Sequence, residues 1–210
     1  MAALRPDPPL LNSSPMRRIV EARELQTGKP ASLARWLIGK HLVRRFPGGR
    51  EEARMIVETE AYDGERDLAC HARAGRTPRT EVIYGPAGIW YVYLCYGIHE
   101  MLNLVVGQSG WPAAVLIRGI EGVGGPGRVT RALAIDRSLN AVAAIKANGL
   151  WIEDRGGALP PASVLATKRI GVEYAGPVWA AKPWRFVLRD SGGGKPPVRQ
   201  AKPSGHRPRK

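Results

Sequence analysis

Acidic residues are scarce: 18 Asp and Glu stand against 32 Lys and Arg in 210 residues, a formal net charge of +14. Such a balance attracts polyanions over long range and makes nucleic acid the leading partner, without naming a reaction. Cysteine is nearly absent. Cys70 and Cys95 lie far apart and form no Cys-x-x-Cys pair, so a disulfide scaffold is excluded and a reduced, intracellular protein is expected. Long apolar runs are missing, which excludes a bilayer-spanning helix. The start, Met1-Ala2-Ala3-Leu4-Arg5-Pro6, lacks the apolar stretch of a secretion signal, and no basic amphipathic helix is offered to a membrane surface. The expectation is cytoplasm and nucleoid in a prokaryote or nucleus in a eukaryote, with no membrane partner. Metal-ligand spacings are absent as well: His41, His71, His99 and His206 form no His-x-Glu, His-Glu-x-x-His or Cys/His pattern, so no metal is expected. Gly124-Gly125-Pro126-Gly127-Arg128 lacks the Gly-x-x-x-x-Gly-Lys-Ser/Thr form, which excludes a nucleoside triphosphate site and leaves a turn that touches phosphate.

What is present suits one domain, with a hydrophobic fraction of 44%. Residues 1–30 mix prolines, Asn12-Ser13-Ser14 and charges and read as a loose arm, with the folded domain over 31–190. Leu33, Ala34, Leu37, Ile38 and Leu42 make a helical stripe with Ser32 as N-cap. Phe46-Pro47-Gly48-Gly49 is a turn, and Arg54 to Glu60 a strand. Asp63 to Arg79 is polar and aperiodic, as in a long surface loop of the kind that often carries function. Ile89 to Cys95 and Met101 to Val106 are strand formers around Tyr96-Gly97-Ile98-His99, a hairpin with an aromatic near its tip. Ala113 to Arg118 is a further strand and Val129 to Ile135 a short helix, with late strands at Arg169–Val172 and Trp184–Leu188. Residues 191–210 hold Gly, Pro, Lys and Arg with no carboxylate, a disordered basic tail.

Several residues within this frame bear chemistry. Glu58 and Glu60 lie two apart and share one strand face, which by spacing alone reads first as a solvated edge strand carrying two acids, with Glu60 as a general base toward water the sharper alternative. Tyr91 and Tyr93 alternate onto one face, as stacking walls for unpaired bases or as packing residues. Tyr96, beside Gly97 at the tip, is poorly placed for core burial. Arg118 closes an apolar strand and needs an acid, either a structural partner or a site carboxylate such as Glu60. Asn103, inside another apolar strand, needs hydrogen-bond partners that a ligand's edge can supply.

In order along the chain, Leu33–Lys40, Ile56-Val57-Glu58-Thr59-Glu60-Ala61-Tyr62, Asp67-Leu68-Ala69-Cys70-His71, Gly75-Arg76-Thr77-Pro78-Arg79, Tyr91-Val92-Tyr93, Tyr96-Gly97, Asn103, Val115-Leu116-Ile117-Arg118, Gly125-Pro126-Gly127, Ala132–Ile135, Arg169-Ile170-Gly171-Val172 and Lys182–Phe186 closely resemble the alkyladenine (3-methyladenine) DNA glycosylase family. The resemblance spans Leu33 to Leu188. It implies one α+β domain on a curved, mainly antiparallel sheet with flanking helices and a protruding β-hairpin. It implies a monofunctional base-excision enzyme that flips alkylated or deaminated purines (3-methyladenine, 7-methylguanine, hypoxanthine, ethenoadenine) from duplex DNA and hydrolyses the N-glycosidic bond. No organic cofactor or lyase step is expected, and the protein is expected to act as a monomer on double-stranded DNA containing a damaged purine.

By the same resemblance, Glu60 is the general base and Arg118 its partner in holding the water, with the Ile170 carbonyl completing that water's shell. Tyr62, His71 and Tyr93 are pocket walls, Asn103 crowds the exocyclic amine of guanine, and Tyr96 fills the gap in the base stack. Departures from the pattern are Arg54-Met55, where relatives have Gly-Arg, and Gly119-Ile120-Glu121-Gly122, a looser turn than the usual Ala-Leu-Glu-Pro. Glu100, near the hairpin tip, brings a negative charge toward DNA. The rival from another class, a non-catalytic basic nucleic-acid-binding module, explains the charge but leaves Glu60 and Arg118 without a purpose.

Overall fold

In the computed structural model, which describes residues 17–157 and 159–189, the chain enters through strand β1 (Arg18–Ile19) and helix α1 (Ala22–Gln26). Helix α2 (Pro30–Leu37), β2 (His41–Arg45), β3 (Glu51–Asp63), β4 (Trp90–Cys95), β5 (His99–Val105), β6 (Ala113–Ile120) and β7 (Val123–Gly124) follow. Then come α3 (Pro126–Ala132), β8 (Leu150–Asp154), β9 (Val164–Thr167), α4 (Gly176–Ala180) and β10 (Arg185–Leu188). The strands join in one open sheet in the order β1-β8-β2-β3-β6-β5-β4, with β10 on β3, β9 outside β10 and β7 on β6. Every pairing among the described strands is antiparallel. The result is a single α+β domain dominated by an open antiparallel sheet with a few helices, as the resemblance implies.

Two expectations about the first half are corrected. The loose arm over 1–30 does not hold from Arg17 onward, because specific partners fix this segment. β1 pairs with β8 (Arg18↔Asp154, Ile19↔Glu153), the Arg17 guanidinium grips both oxygens of Glu153 at 2.7 and 2.8 Å, and Leu25 is buried. Residues 1–16 and the expected basic tail over 191–210 lie outside the described residues. Helix α2 starts at Pro30, two residues before the expected cap, with Lys29 in the cap position. Proline at the first helical position has no N–H to leave unpaired and a φ already suited to the helix. Leu33, Ala34 and Leu37 face the core, each large side chain contributing about 1.5–3 kcal/mol by burial, while Leu42 is buried in β2 instead.

β3 organises the rest. Its first part pairs with β2 (His41↔Met55 to Arg45↔Glu51), its second with β6, and residues 58–60 also pair with β10. A register irregularity between Ile56 and Thr59 turns both Ile56 and Val57 into the main core. Thr59 remains on the core face, where its hydroxyl donates to the Ala34 carbonyl at 2.8 Å and ties α2 to the sheet. Glu58 and Glu60 take the other face, and strands on both sides cover them.

Two further corrections concern the segments beside that face. Asp63 to Arg79 is irregular chain as expected but only partly a surface loop: Glu65, Arg66, Arg73, Arg76 and Arg79 are exposed, while Asp67, Ala69, Cys70 and Ala72 are buried and His71–Ala74 forms a short 3-10 turn. Its polarity misled because Asp67 has an internal partner in Arg169. Arg169–Val172 is irregular chain, the late strands being β9 and β10. β2 and β8 carry no alternation that marks them, since both lie inside the sheet and bury side chains on both faces (Leu42, Val43, Leu150, Trp151, Ile152).

Candidate active site

β3, β4, β5, β6 and the 169–172 segment converge on a cleft of about 520 Å³, a volume suited to one small-molecule group. Tyr62, His71, Tyr93, Tyr96, Asn103, Arg118 and Ile170 all line it. Glu60 stands directly behind this lining, fully covered at 0% exposure, and each group that bonds its carboxylate belongs to a residue of the cleft wall.

The carboxylate is held on both oxygens. Oε1 accepts the Ile170 backbone N–H at 2.8 Å, and Oε2 accepts the Tyr62 hydroxyl at 2.8 Å and Arg118 Nη1 at 3.4 Å. Ile170, whose carbonyl the resemblance assigns to the water's shell, thus bonds Glu60 itself through its N–H. Burial raises the Glu60 carboxyl above the ordinary carboxylate range, while Arg118, the Ile170 N–H and Tyr62 oppose that rise by favouring the charged form. A carboxyl so placed is a stronger base than an exposed one, and those three bonds favour its charged form.

Arg118 satisfies both alternatives that its position left open. Its Nη1 reaches Glu60, and its Nε donates to Glu58 Oε1 at 3.0 Å. Glu58 Oε1 also accepts Arg185 Nε at 2.6 Å, so Glu58 orients two arginines, Arg118 directly under the cleft. Gly119 allows this closeness: a Cβ there would meet the Glu58 Cβ at 3.0 Å. The departure from the family pattern at Gly119 therefore lies in the strand opposite Glu58, and the chain turns only at Gly122, whose φ is +74°.

Aromatic walls complete the cleft. Tyr91 and Tyr93 share a face as alternation predicts, their rings 5.2 Å apart, and His71 packs edge-on to Tyr93 at 4.5 Å. Tyr91 is buried among Ile83, Val105 and Ala114, and its hydroxyl lies 3.0 Å from His71 Nδ1. Burial, helped by Arg79 and Arg73, pushes the His71 imidazolium down to about 4, so the ring is neutral at physiological pH. Asn103 is 4% exposed and gives its amide to the Tyr91 carbonyl at 3.2 Å, which leaves its side-chain oxygen without a protein bond among the described residues.

Tyr96 differs from every other aromatic. β4 and β5 pair from Trp90↔Leu104 to Cys95↔His99, and Tyr96 caps the hairpin with 91% exposure, beside Ile98 at 69%. Its φ of +51° is left-handed, a conformation that costs a non-glycine residue about 1 kcal/mol or more and recurs at functional sites. Glu100 does not point its charge outward: it is largely covered and accepts Arg137 Nε at 3.2 Å.

Sequence reasoning missed three participants. Asp67 sits in a polar stretch that gives no local signal, and Arg185 and Arg169 were assigned to strands without a partner. Only long-range pairing brings them to the site, Asp67 and Arg169 across 102 positions. Among the described residues no three His, Cys, Asp or Glu side chains cluster as metal ligands, both cysteines are free thiols, and no helix is long and apolar enough to cross a membrane.

The chain matches the methylpurine-DNA glycosylase family over residues 24–125 and 122–192. It is 47% identical over 175 residues to a protein of Anaeromyxobacter sp. (strain Fw109-5), covering 80% of this chain and 88% of that one. A Myxococcus xanthus protein is 46% identical over 184 residues, covering 80% and 91%. One from Methanocella arvoryzae is 45% identical over 179 residues, covering 76% and 87%. All three carry the provisional name 3-methyladenine DNA glycosylase. On this match and these identities, the chain belongs to the methylpurine-DNA glycosylase family.

Proposed function

We propose that the cleft receives a damaged purine extruded from duplex DNA, and that Glu60 activates the water that displaces it. The observation that carries this reading is the fully covered Glu60 carboxylate, bonded by Arg118, Tyr62 and Ile170, all of which line the same aromatic-walled cleft. A buried acid at such a place has a purpose in glycosidic hydrolysis and none in a passive DNA-binding surface.

Extrusion costs a few kcal/mol, least for damaged or mispaired bases, and the exposed Tyr96 ring at the hairpin tip fills the space left in the stack. The base enters between Tyr62 and the His71–Tyr93 corner. Asn103 faces its edge and crowds the exocyclic amine of normal guanine. The C1′–N bond breaks with its electron pair leaving on the purine, which for an N-alkylated, cationic base needs no added proton. The sugar passes through an oxocarbenium-like state that the anionic Glu60 stabilises. Water oxygen then bonds to C1′ and its proton passes to Glu60, leaving an abasic site. A carboxylate has about four acceptor positions, and Glu60 uses one on Oε1 and two on Oε2, so Oε1 retains capacity for the water. Arg118 keeps the carboxylate charged until that proton arrives, and with no lysine among the described residues that line the cleft no Schiff base forms. The names of the relatives support 3-methyladenine as a substrate; the proposed wider range of 7-methylguanine, hypoxanthine and ethenoadenine rests on the family resemblance alone. The enzyme acts as a monomer on double-stranded DNA, without metal or organic cofactor.

Incubation with methylated duplex DNA tests this directly. Free 3-methyladenine and an equal amount of alkali-labile abasic sites are expected. Tight binding with no released base would leave a binding module in the enzyme's place.

A further inference from the structure

The mechanism above leaves unused the one ion pair among the described residues whose two side chains are both fully covered, Asp67 with Arg169. Arg169 Nη1 donates to Asp67 Oδ2 at 2.6 Å and to the Ala61 carbonyl at 2.9 Å. Its Nη2 donates to Asp67 Oδ1 at 2.9 Å and to the Trp179 carbonyl at 3.2 Å. Asp67 in turn accepts the backbone N–H groups of Ala69 at 3.0 Å and Asp63 at 3.3 Å. The pair thus ties the end of β3, the 67–69 turn, the 169–172 segment and α4 to one point. The guanidinium also lies over the Tyr62 ring at 4.9 Å and the Trp184 ring at 5.1 Å.

A buried ion pair is a poor device for stability alone, since apolar side chains of similar volume often do as well or better. Its location supplies another reason. Arg169 immediately precedes Ile170, whose N–H holds Glu60 Oε1, and backs Tyr62, whose hydroxyl holds Glu60 Oε2. We propose that Arg169 and Asp67 are positioning residues, their ion pair fixing the 169–171 segment and the Tyr62 ring so that both bonds to the Glu60 carboxylate persist. Gly171, with a left-handed φ of +73°, turns the chain directly after Ile170.

This inference rests on the proposed role of Glu60 and predicts how that role fails. The charged and titratable groups facing Glu60 are Arg118 from β6, Arg185 opposite it on β10, Glu58 and Tyr62 from β3, and Arg169 itself. With the pair broken, the Ile170 N–H drifts off, one bond to the charged form is lost, and the carboxyl rises further. A neighbour that only supports folding changes the amount of active enzyme without changing the pH at which it works.

Asp67→Asn and Arg169→Lys are the test variants, Lys keeping the charge while losing the two-pronged fork. Single-turnover release of base from methylated duplex is measured from about pH 5 to about pH 9, normalised to folded protein, with lesion-DNA affinity alongside. The expected result is a rate down by about tenfold or more below neutrality, an acid limb displaced upward by about one pH unit, and affinity within about threefold of wild type. A wild-type pH profile in folded variants would overturn the positioning role and leave the proposed function standing. Absence of base release by the wild type would overturn both. Hydrogen exchange in the wild type needs no variant: the Ile170 amide is expected to be as protected as the amides of β3, and fast exchange there contradicts the inference.

Discussion

His71 lines the cleft and Glu60 stands behind its lining, and burial moves both away from their charged forms. For Glu60 the shift favours proton uptake from water, and for His71 it removes a second cation from beside Arg79. The His71 shift has a consequence for stability. Its folded value of about 4 lies below the unfolded value of about 6.5, so between these pH values the unfolded chain binds more protons. The contribution of His71 is therefore intact above about pH 6.5 and is lost progressively as pH falls toward about 4. Thermal melts of wild type and His71→Gln across that window are expected to converge or cross on acidification, the variant gaining relative to wild type. A constant difference in melting temperature from pH 7 to about pH 4 contradicts the neutral, buried imidazole. The legibility of these groups in the sequence follows from their neighbours. Arg118 at the end of an apolar strand announces the need for an acid, and it finds two, Glu58 and Glu60. Asp67 and Arg169 announce nothing, because a charged residue in a polar stretch reads as solvated until its distant partner is known.

The β4–β5 hairpin joins strain to exposure. Alternating Tyr91, Tyr93 and a glycine at the tip make it readable from sequence, but the left-handed backbone of Tyr96 is visible only in the structure. A large ring held outward at a conformational cost is poorly explained by folding. Tyr96→Gly relieves the positive φ and removes the wedge, so stability is expected to hold or rise by about 0.5–1 kcal/mol. Base release under single-turnover conditions is expected to slow by about tenfold or more as the extruded state loses support. Loss of stability with unchanged release would make Tyr96 a structural residue. Elsewhere the elements follow local rules unevenly. α2 obeyed its apolar stripe but began at Pro30, since a proline start outweighs a serine cap. β2 and β8 escaped notice because interior strands lose the alternation by which strands are recognised. The 63–79 segment reads as a loop from its polarity, yet it is packed in place by Asp67.

Taken as one body, the protein couples a basic exterior to a site where three carboxylates meet three arginines. Exposed and half-exposed arginines account for attraction to the phosphate backbone, an interaction that weakens with salt and carries no chemical selectivity. Glu58, Glu60 and Asp67 meet Arg118, Arg185 and Arg169 beneath the cleft, so the reacting centre is shielded from the net charge of +14. The α+β class and the antiparallel sheet were accessible through ordered motifs from Leu33 to Leu188. The order of strands was not, because β10 returns to flank β3 only after the chain has passed through every other layer. DNA binding and base release are accordingly separable, and Glu60→Gln separates them with the smallest change in shape. The single-turnover rate of 3-methyladenine release from duplex DNA by Glu60→Gln, measured beside its lesion affinity, is the decisive quantity. The rate is expected to fall by on the order of 10²–10⁴-fold with affinity and its salt dependence nearly unchanged. Release at the wild-type rate would contradict Glu60 as the base that activates water.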